Sequence, residues 1–232
     1  MPGSDWNTYI RSMFGSISGR YDLMNTLMTF GMDRLWRRLT LEMACLPPGG
    51  LLLDVGAGTG KIAREALRRD PAARVVAADL TLDMMKTGRR TVGGRAWWCN
   101  ADALALPFPE DSFDAATSGF LMRNVPDMRG AFQEQFRVVK PGGMVVCLDT
   151  CPPPDTVLKP LILFHFRFVI PFLGTLVTGN SDAYRYLPRS TSAFKKPEEI
   201  VPIMEQVGFR ETAWRRFMFG TMGLVWGRKP RR

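Results

Sequence analysis

Apolar and polar positions along the chain follow two patterns, one typical of buried strands and one typical of amphipathic helices. Short apolar runs are bounded by turn residues, and stretches with apolar residues three and four positions apart lie between them. The predicted strands are 51–54, 74–79, 96–99, 113–118, 144–149, 210–219 and 220–228, and the predicted helices are 61–69, 82–90, 128–139 and 197–207. This alternation predicts a mostly parallel α/β sheet with helices on both faces and an antiparallel terminal hairpin.

Two further segments have a helical pattern outside this alternation. Residues 5–45 precede the first strand and are expected to cover the ligand side of the sheet. Their apolar positions are Leu23, Leu27, Met28, Met32, Leu35, Trp36 and Leu39. The segment 155–196 interrupts the core after the fifth strand, and we expect it to cover the substrate.

The insertion contains a strongly apolar stretch, 158–174. Lys159, His165, Arg167 and two prolines within it argue against a transmembrane helix, which needs about 20 nearly uncharged residues. An interfacial or substrate-covering helix fits this composition better. Its aromatic residues have two interpretations, ordinary core or a surface that encloses a ring: Phe164, Phe166, Phe168 and Phe172.

The length of 232 residues suits one α/β domain, and 46% hydrophobic and 23% charged residues are ordinary for a globular protein. We expect 1–48 to be a helical cover, 49–154 with 197–232 the nucleotide-binding core, and 155–196 the covering insertion. The net charge of +9 attracts phosphates of nucleic acid or of anionic lipid without choosing between them. The four cysteines form no C-x-x-C pair and His165 is the single histidine, so neither a metal site nor a disulfide framework is predicted. The N-terminal sequence lacks a charged and apolar leader, which favours a cytoplasmic protein.

Asp54 to Gly60 have the pattern D-x-G-x-G-x-G, directly after an apolar run and directly before the predicted helix 61–69. Glycines allow positive φ and close approach of a ligand, and the helix N–H groups point at the same place. A dinucleotide fingerprint would have a third glycine where Lys61 stands, so an oxidoreductase is the least favoured class. The pattern resembles motif I of the class I S-adenosylmethionine (SAM) methyltransferases, in which this loop wraps the amino-acid end of SAM.

Two carboxylates and one loop extend this candidate site. Asp79 ends the second predicted strand, where a carboxylate can accept both hydroxyls of an adenosine ribose. Its alternative role is a cap for the helix 82–90, a role that suits Thr81 better. Asp102 can accept from the adenine amino group, and the backbone N–H that follows can donate to the ring. The loop 119–125 is expected to lie beside the transferred methyl group.

Beyond motif I, the sequence resembles the ubiquinone/menaquinone biosynthesis C-methyltransferases over nearly its whole length. The specific matches are 21–25 (YDLMN), 30–31 with 34–36 (FG and RLW), 123–125 (RNV) and 182–187 (DAYRYL). The resemblance implies a Rossmann-like SAM methyltransferase that methylates a ring carbon of a prenylated quinol, a demethylmenaquinol or ubiquinol precursor, and releases S-adenosylhomocysteine. The cofactor residues that we take from it and from the loop pattern are Asp54, Gly56, Ala57, Gly58, Thr59, Gly60, Asp79, Leu80, Asp102, Ala103 and Gly119.

Carbon is a poor nucleophile, so the implied quinol must lose a phenolic proton before its ring can attack the methyl group. A cation must hold the phenolate, and Arg123 suits this role, with Asn124 as its orienting neighbour. The candidates for the proton acceptor are Asp149, Tyr21 and Asp182.

Four positions depart from the family pattern and leave the acceptor molecule open. The family usually has histidine at Asp33, serine at Gly119, glutamate at Asp149 and an acidic residue at Arg189. A methyltransferase for another aromatic or lipid-like molecule is therefore an alternative.

The covering segments are expected to let a prenyl tail emerge toward the inner face of the cytoplasmic membrane, and a homodimer is left open. Nucleic acid is not an expected partner. Two rival functions are a non-catalytic SAM-fold protein that binds a quinol or a partner, and a nucleic-acid cytosine methyltransferase with Cys151 as nucleophile. The second lacks its Pro-Cys pair, because 118–120 read Ser-Gly-Phe.

Overall fold

Seven strands form one sheet in the computed structural model, which describes residues 3–178 and 181–231 of the chain. The strands are β1 (Leu51–Val55), β2 (Arg74–Asp79), β3 (Ala96–Asn100), β4 (Phe113–Gly119), β5 (Val139–Thr150), β6 (Arg210–Phe217) and β7 (Met222–Arg228). Their order is β3-β2-β1-β4-β5-β7-β6, with the first five parallel and β7 antiparallel to both of its neighbours. The predicted fold class is confirmed.

Helices cover both faces of the sheet because its central strands are apolar on both sides. The helices are α1 (Gly3–Ile17), α2 (Tyr21–Met28), α3 (Asp33–Ala44), α4 (Lys61–Arg69), α5 (Leu82–Val92), α6 (Met128–Val138), α7 (Lys159–Phe164), α8 (Ile170–Thr178), α9 (Ser181–Ala193) and α10 (Pro197–Val207). In β1, Leu52 packs with Trp36 of α3, and the next residue, Leu53, belongs to the core with Phe132 of α6. Successive strand residues point to opposite faces, so β1 separates two cores.

The fifth strand begins earlier than the sequence predicts. The run 140–143 (KPGG) has the composition of a turn, but Val139 already pairs with Phe113, and pairing resumes with Met144 opposite Ala115. The residues between them form a bulge, in which Gly142 has a φ of 84°. Glycine permits this conformation, so the chain bulges without leaving the sheet.

The N-terminal helices and the helices after β5 pack against one another. Ile10 of α1, Met24 of α2 and Ile170 of α8 are buried in one shared apolar cluster. The predicted N-terminal helices and helical insertion are therefore present. The division of the chain into cover, core and insertion stays a prediction.

Helix α7 passes into α8 through a π-helical segment, His165–Val169. Pro171 has no N–H to donate to a carbonyl one turn back, and the wider π turn lies directly before it. The resulting helix Lys159–Val177 is long and apolar enough to cross a membrane by length and composition, with a mean hydropathy of 1.8 and only 11% burial over an 18-residue stretch. The two prolines do not break the helix, so the expectation that they argue against a spanning helix is wrong.

Three of the four aromatic residues of the insertion lie on its outer surface. Phe164, Phe168 and Phe172 are 55%, 55% and 68% exposed, whereas Phe166 is half-buried. The interpretation of these rings as ordinary core is therefore wrong for Phe164, Phe168 and Phe172.

Candidate active site

A cleft lies at the carboxyl ends of β1, β2 and β4, the usual ligand position in an open α/β sheet. It contains about 990 Å³ of space, including its open mouth. The predicted cofactor residues that line it are Asp54, Gly56, Ala57, Gly58, Thr59, Asp79, Leu80, Asp102, Ala103 and Gly119. Gly60 is not among the lining residues, and a Cβ there would lie 2.8 Å from the Trp98 ring.

The loop between β1 and α4 needs its glycines for conformation and for space. Gly56 and Gly58 have φ values of 66° and 56°, a region that residues with a Cβ rarely adopt. A Cβ on Gly56 would lie 2.7 Å from Leu121, whereas the nearest atom to one on Gly58 is the Met84 methyl group at 3.6 Å. The loop is therefore closely packed against Leu121 at Gly56, whereas a ligand can approach its backbone at Gly58.

Asp79 ends β2 with both of its carboxylate oxygens held by backbone N–H groups. Oδ2 accepts from Gly58 and Oδ1 accepts from Thr81, each at 2.7 Å. Burial raises the pKa of Asp79, and these hydrogen bonds act in the opposite direction. A carboxylate has about four acceptor sites, so this oriented group can still receive two hydroxyls. Thr81 occupies the N-cap position of α5.

Asp54 is buried, and its carboxylate accepts from the Ala63 N–H at 3.2 Å and from the Thr117 hydroxyl at 3.3 Å. Burial raises the pKa of Asp54 to about 7 despite these hydrogen bonds. The group therefore holds a proton at mildly acidic pH in the protein without cofactor.

The raised pKa of Asp54 makes the stability of the protein pH-dependent. In the unfolded chain an aspartate loses its proton near pH 3.9, so the folded protein holds a proton that the unfolded chain lacks between about pH 4 and pH 7. The contribution of Asp54 to the free energy of unfolding is expected to fall by several kcal/mol as the pH rises through this window, at about 1.4 kcal/mol per pKa unit. Urea unfolding across the window measures the slope. Asp54→Asn is expected to remove this contribution, and an unchanged slope in the variant contradicts the assignment.

Lys61 and Arg37 form a cationic wall of the cleft that the sequence patterns did not identify. Lys61 Nζ lies 3.5 Å from Asp22 Oδ1 and 3.3 Å from Asp33 Oδ2, and Arg37 forms an ion pair with Asp33. The Thr59 hydroxyl donates to Asp22 at 2.7 Å, which attaches this wall to the glycine loop. The available signal was the lysine that directly follows motif I.

Two of the departures from the family pattern, at Asp33 and at Gly119, have defined surroundings in this structure. Asp33 accepts from both cations of the wall just described. At Gly119, a Cβ would lie 2.8 Å from Ile62 Cδ1, so a serine there requires the end of that side chain to move. Arg189 is exposed, and nothing in the structure explains its presence.

Asp102 lies at the mouth of the cleft beside α1. Its Oδ2 accepts from Asn7 Nδ2 at 3.0 Å, and its Oδ1 accepts from the Leu104 N–H at 3.0 Å. Helix α1 therefore closes over this end of the cleft through Asn7. The adenine contact of Asp102 and Ala103 stays a prediction.

Arg123 and Asp149 form a buried ion pair between the loop after β4 and the end of β5. The backbone N–H of Arg123 also donates to Asp149 Oδ2 at 3.2 Å, and the Thr150 N–H donates to Oδ1 at 2.8 Å. Asp149 thus orients the guanidinium group of Arg123. Its predicted role as a proton acceptor stays untested.

Asn124 is the point where three segments meet. Its Nδ2 donates to the Phe120 carbonyl at 2.9 Å, and its Oδ1 accepts from the Tyr186 hydroxyl at 2.9 Å. Its main-chain oxygen accepts from Trp6 Nε1 at 2.8 Å. Tyr186 and Trp6 were not predicted as site residues, although Tyr186 belongs to the family match 182–187.

A second pocket of about 550 Å³ adjoins the cleft and shares Phe120 as a wall. Its lining is mostly apolar: Met28, Phe120, Phe166, Ile170, Pro188, Met218 and Met222, with Asn25, Thr29, Arg123, Thr150, Thr191 and Thr221. Two N–H donors of its lining residues, Asn25 Nδ2 and Arg123 Nε, are buried and make no hydrogen bond of 3.5 Å or less with the described residues, although Asn25 lies close enough to the Tyr21 hydroxyl to act against the rise of its pKa. An unpartnered buried donor is costly, so this pocket suits a ring that carries oxygen atoms.

The other predicted proton acceptors lie in different surroundings. Tyr21 lines the cleft, and burial raises its pKa although Arg123 acts in the opposite direction. Asp182 belongs to α9, but its side chain lies outside the described part of the structure.

The parallel sheet with its terminal hairpin, the glycine loop and the carboxylate at the end of β2 define the class I SAM-methyltransferase fold. A model of the ubiE/COQ5 methyltransferase family matches residues 4–229, so the chain belongs to this family and is a methyltransferase.

Relatives agree with this assignment, and a solved structure shares the fold. The ubiquinone/menaquinone biosynthesis C-methyltransferase UbiE of Desulfotalea psychrophila is 40% identical over 221 residues, which cover 95% of this chain and 90% of that protein. A demethylmenaquinone methyltransferase of Thermus thermophilus is 40% identical over 221 residues, 94% of this chain and 100% of that protein. A solved SAM-dependent methyltransferase of Thermotoga maritima shares the fold, with a TM-score of 0.65 and 18% identity over 94% of this chain and 99% of that one.

Proposed function

We propose that this methyltransferase transfers a methyl group from SAM to a ring carbon of a prenylated quinol, a demethylmenaquinol or a ubiquinol precursor. The observation that carries the proposal is the apolar second pocket with its two unpartnered N–H donors beside the cofactor cleft. A planar apolar ring with hydroxyl groups fits this combination. The names of the two relatives support the same reaction.

The residues of the cleft fit SAM at both of its ends. The oriented carboxylate of Asp79 suits the ribose hydroxyls, and the approachable backbone at Gly58 suits a close contact with the cofactor. Lys61 and Arg37 supply positive charge for the carboxylate of the amino-acid end of SAM. The carboxyl group of Asp54 suits the ammonium group at the same end. When bound, SAM supplies an electrophilic methyl group.

In the proposed mechanism, the protein makes a ring carbon nucleophilic and positions it. Arg123 stabilises the negative charge of the phenolate, since its guanidinium is buried, held by Asp149 and carries a free N–H. Asn124 fixes the loop that carries Arg123. The phenolic proton passes to water or to one of the three candidates, Tyr21, Asp149 and Asp182. After methyl transfer, the hydrogen on the methylated ring carbon leaves as a proton, which restores the aromatic ring.

The direct test of the function is methyl transfer from labelled SAM to a panel of acceptors. We expect product with short-chain demethylmenaquinol or with a ubiquinol precursor, and no transfer to RNA or DNA. A protein that binds S-adenosylhomocysteine but methylates no quinol would support another aromatic acceptor instead.

Asn25→Leu tests the second pocket as the acceptor site. Loss of a neutral hydrogen bond of about 0.5–1.5 kcal/mol is expected to raise KM for the quinol about twofold to twelvefold, with unchanged affinity for S-adenosylhomocysteine. The matched control is Met28→Leu, which changes the same pocket without removing a donor. Equal KM values for Asn25→Leu and wild type contradict this placement of the ring.

The nucleophilic-cysteine alternative has little support at Cys151. This residue is buried, and its thiol lies 3.1 Å from the Gly220 carbonyl oxygen, to which it donates. Burial raises its pKa to about 12, so the reactive thiolate is scarce at neutral pH. A thiol-blocking reagent is expected to leave methylation intact.

We further propose that the enzyme works in the cytoplasm and on the inner face of the cytoplasmic membrane. An apolar face, formed by Leu161, Phe164, Phe168, Phe172 and Leu176 with Leu23, Leu27 and Phe30 of the N-terminal segment, is exposed. The Phe30 and His165 rings lie 6.4 Å apart and join its two parts. Burial lowers the pKa of His165, which keeps this histidine uncharged at neutral pH. Such a surface suits the acyl boundary of a bilayer, where a prenyl tail resides.

The double variant Phe168→Ser with Phe172→Ser tests the apolar face. Because full burial of one such ring contributes about 1.5–3 kcal/mol, we expect at least a tenfold loss of binding to liposomes in flotation. Trp97→Ser on β3 is the control, since Trp97 is 60% exposed outside this face. If the variant instead turns a wild-type dimer into a monomer and floats normally, the face is a homodimer interface.

A further inference from the structure

A polar groove of about 780 Å³ lies between α3 and α4, on the other side of the cationic wall of the cleft. Six cationic and two acidic side chains line it, together with Thr26: Arg34, Arg37, Arg38, Lys61, Arg64, Arg68, Asp33 and Glu65. No function described above uses its outer part.

The two acids of this groove are already shared among the cations. Glu65 pairs with Arg38 at 3.2 Å and with Arg68 at 2.6 Å, and Asp33 pairs with Arg37 and Lys61. Arg34 and Arg64 are exposed, and their guanidinium groups make no hydrogen bond or ion pair with the residues that the structure describes. The groove therefore has excess positive charge and two arginines available for an anion.

Exposed apolar residues directly follow two residues of the groove lining in the chain. Thr26 precedes Leu27 of the apolar face, and Arg34 precedes Leu35, which is 44% exposed. Met32, just before the start of α3, is 42% exposed. A cationic groove at the border of an apolar surface has the arrangement needed at the headgroup level of a bilayer.

We infer that this groove binds the phosphate of an anionic phospholipid headgroup, with Arg34 and Arg64 as its main ligands. The planar guanidinium group matches phosphate geometry and can donate two hydrogen bonds to it. The inference rests on the proposed membrane contact and adds a preference for anionic lipid. The phosphate binds on the outer side of Arg37 and Lys61, whose inner side lines the cofactor cleft.

The test is flotation with vesicles of phosphatidylcholine alone and of phosphatidylcholine with phosphatidylglycerol. Wild-type protein is expected to prefer the anionic vesicles. The variant Arg34→Gln with Arg64→Gln is expected to lose about thirtyfold in binding to them, at about a factor of five per basic residue. The control Arg89→Gln with Arg90→Gln removes the same charge from exposed positions of α5 and is expected to keep the preference.

Three outcomes overturn the inference. Equal losses in the two double variants mean that only net charge matters. An unchanged preference in the groove variant means that the groove does not contact lipid. If the groove variant floats as wild type does but no longer binds inorganic phosphate, the groove is a site for free phosphate.

Methylation of a short-chain quinol without vesicles is measured in parallel. If flotation depends on the groove but the protein methylates no quinol, the lipid site is supported and the proposed reaction is excluded. The groove variant is expected to keep full activity in that assay and an unchanged thermal midpoint.

Discussion

Arg123→Lys is expected to lower kcat for quinol methylation about 100-fold to 1,000-fold, the usual effect of losing one preorganised donor at a developing negative charge. Lysine keeps the positive charge opposite Asp149, so the buried ion pair survives and the fold is retained. The ammonium group cannot reproduce the planar fork, and it lacks the Nε–H that lies unpartnered in the structure. Saturating both substrates separates this effect from weakened binding.

The matched control for this variant is Arg129→Lys, which makes the same change at an exposed arginine of α6. We expect it to retain wild-type kcat. Full activity of Arg123→Lys at saturating quinol is the result that excludes the phenolate-holding role. A lower thermal midpoint of Arg123→Lys alone, with normal kcat, assigns Arg123 a structural role instead.

Asp79→Asn is expected to weaken binding of SAM and S-adenosylhomocysteine about 100-fold. Hydrogen bonds to a charged group contribute about 1.5–3 kcal/mol each, and an amide offers one oxygen where the carboxylate offers two. The same change also frees the N–H of either Gly58 or Thr81, so part of the loss comes from a less ordered glycine loop. Calorimetric titration with S-adenosylhomocysteine measures the affinity without turnover.

Asp83→Asn provides the control, because Asp83 lies four residues further on and makes an exposed ion pair with Lys86. Its affinity for S-adenosylhomocysteine is expected to equal that of wild type. If Asp79→Asn also binds normally, the ribose does not contact this carboxylate and the placement of the cofactor is wrong.

The sheet could be predicted because each of its strands has a local signature. Apolar runs such as 51–54 end at glycine or polar residues, and the intervening helices have a clear apolar stripe. The bulge at 140–143 could not be predicted, since proline and glycine are equally common in a turn that leaves the sheet.

The residues that line the cleft around the glycine loop were largely predictable, because motif I is contiguous in sequence. The cationic wall was not, since Arg37 reaches the cleft from α3 and becomes a neighbour of Lys61 only through tertiary packing. The same reason hid Trp6 and Tyr186, whose partner Asn124 is far away in the chain. Local patterns contain no information on such long-range contacts.

The surface of the insertion was the least predictable part. Aromatic residues at helical spacing are equally expected in a core and on a binding surface, and only the exposure of Phe168 and Phe172 separates the two. Asn25 belongs to the family match 21–25 and was a candidate for facing the cofactor, but the structure places it in the second pocket with its amide nitrogen buried.

The single ring of Phe120 between the two cavities has a consequence for how successive reactions are coupled. Phe120 adopts a φ of 60°, and the Arg123 guanidinium lies 5.5 Å from the centre of its ring. Under the membrane contact and the prenylated acceptor proposed above, this partition lets spent cofactor be exchanged from the aqueous side while the acceptor's tail stays in lipid. An enzyme arranged in this way scans one patch of bilayer through many turnovers without detaching.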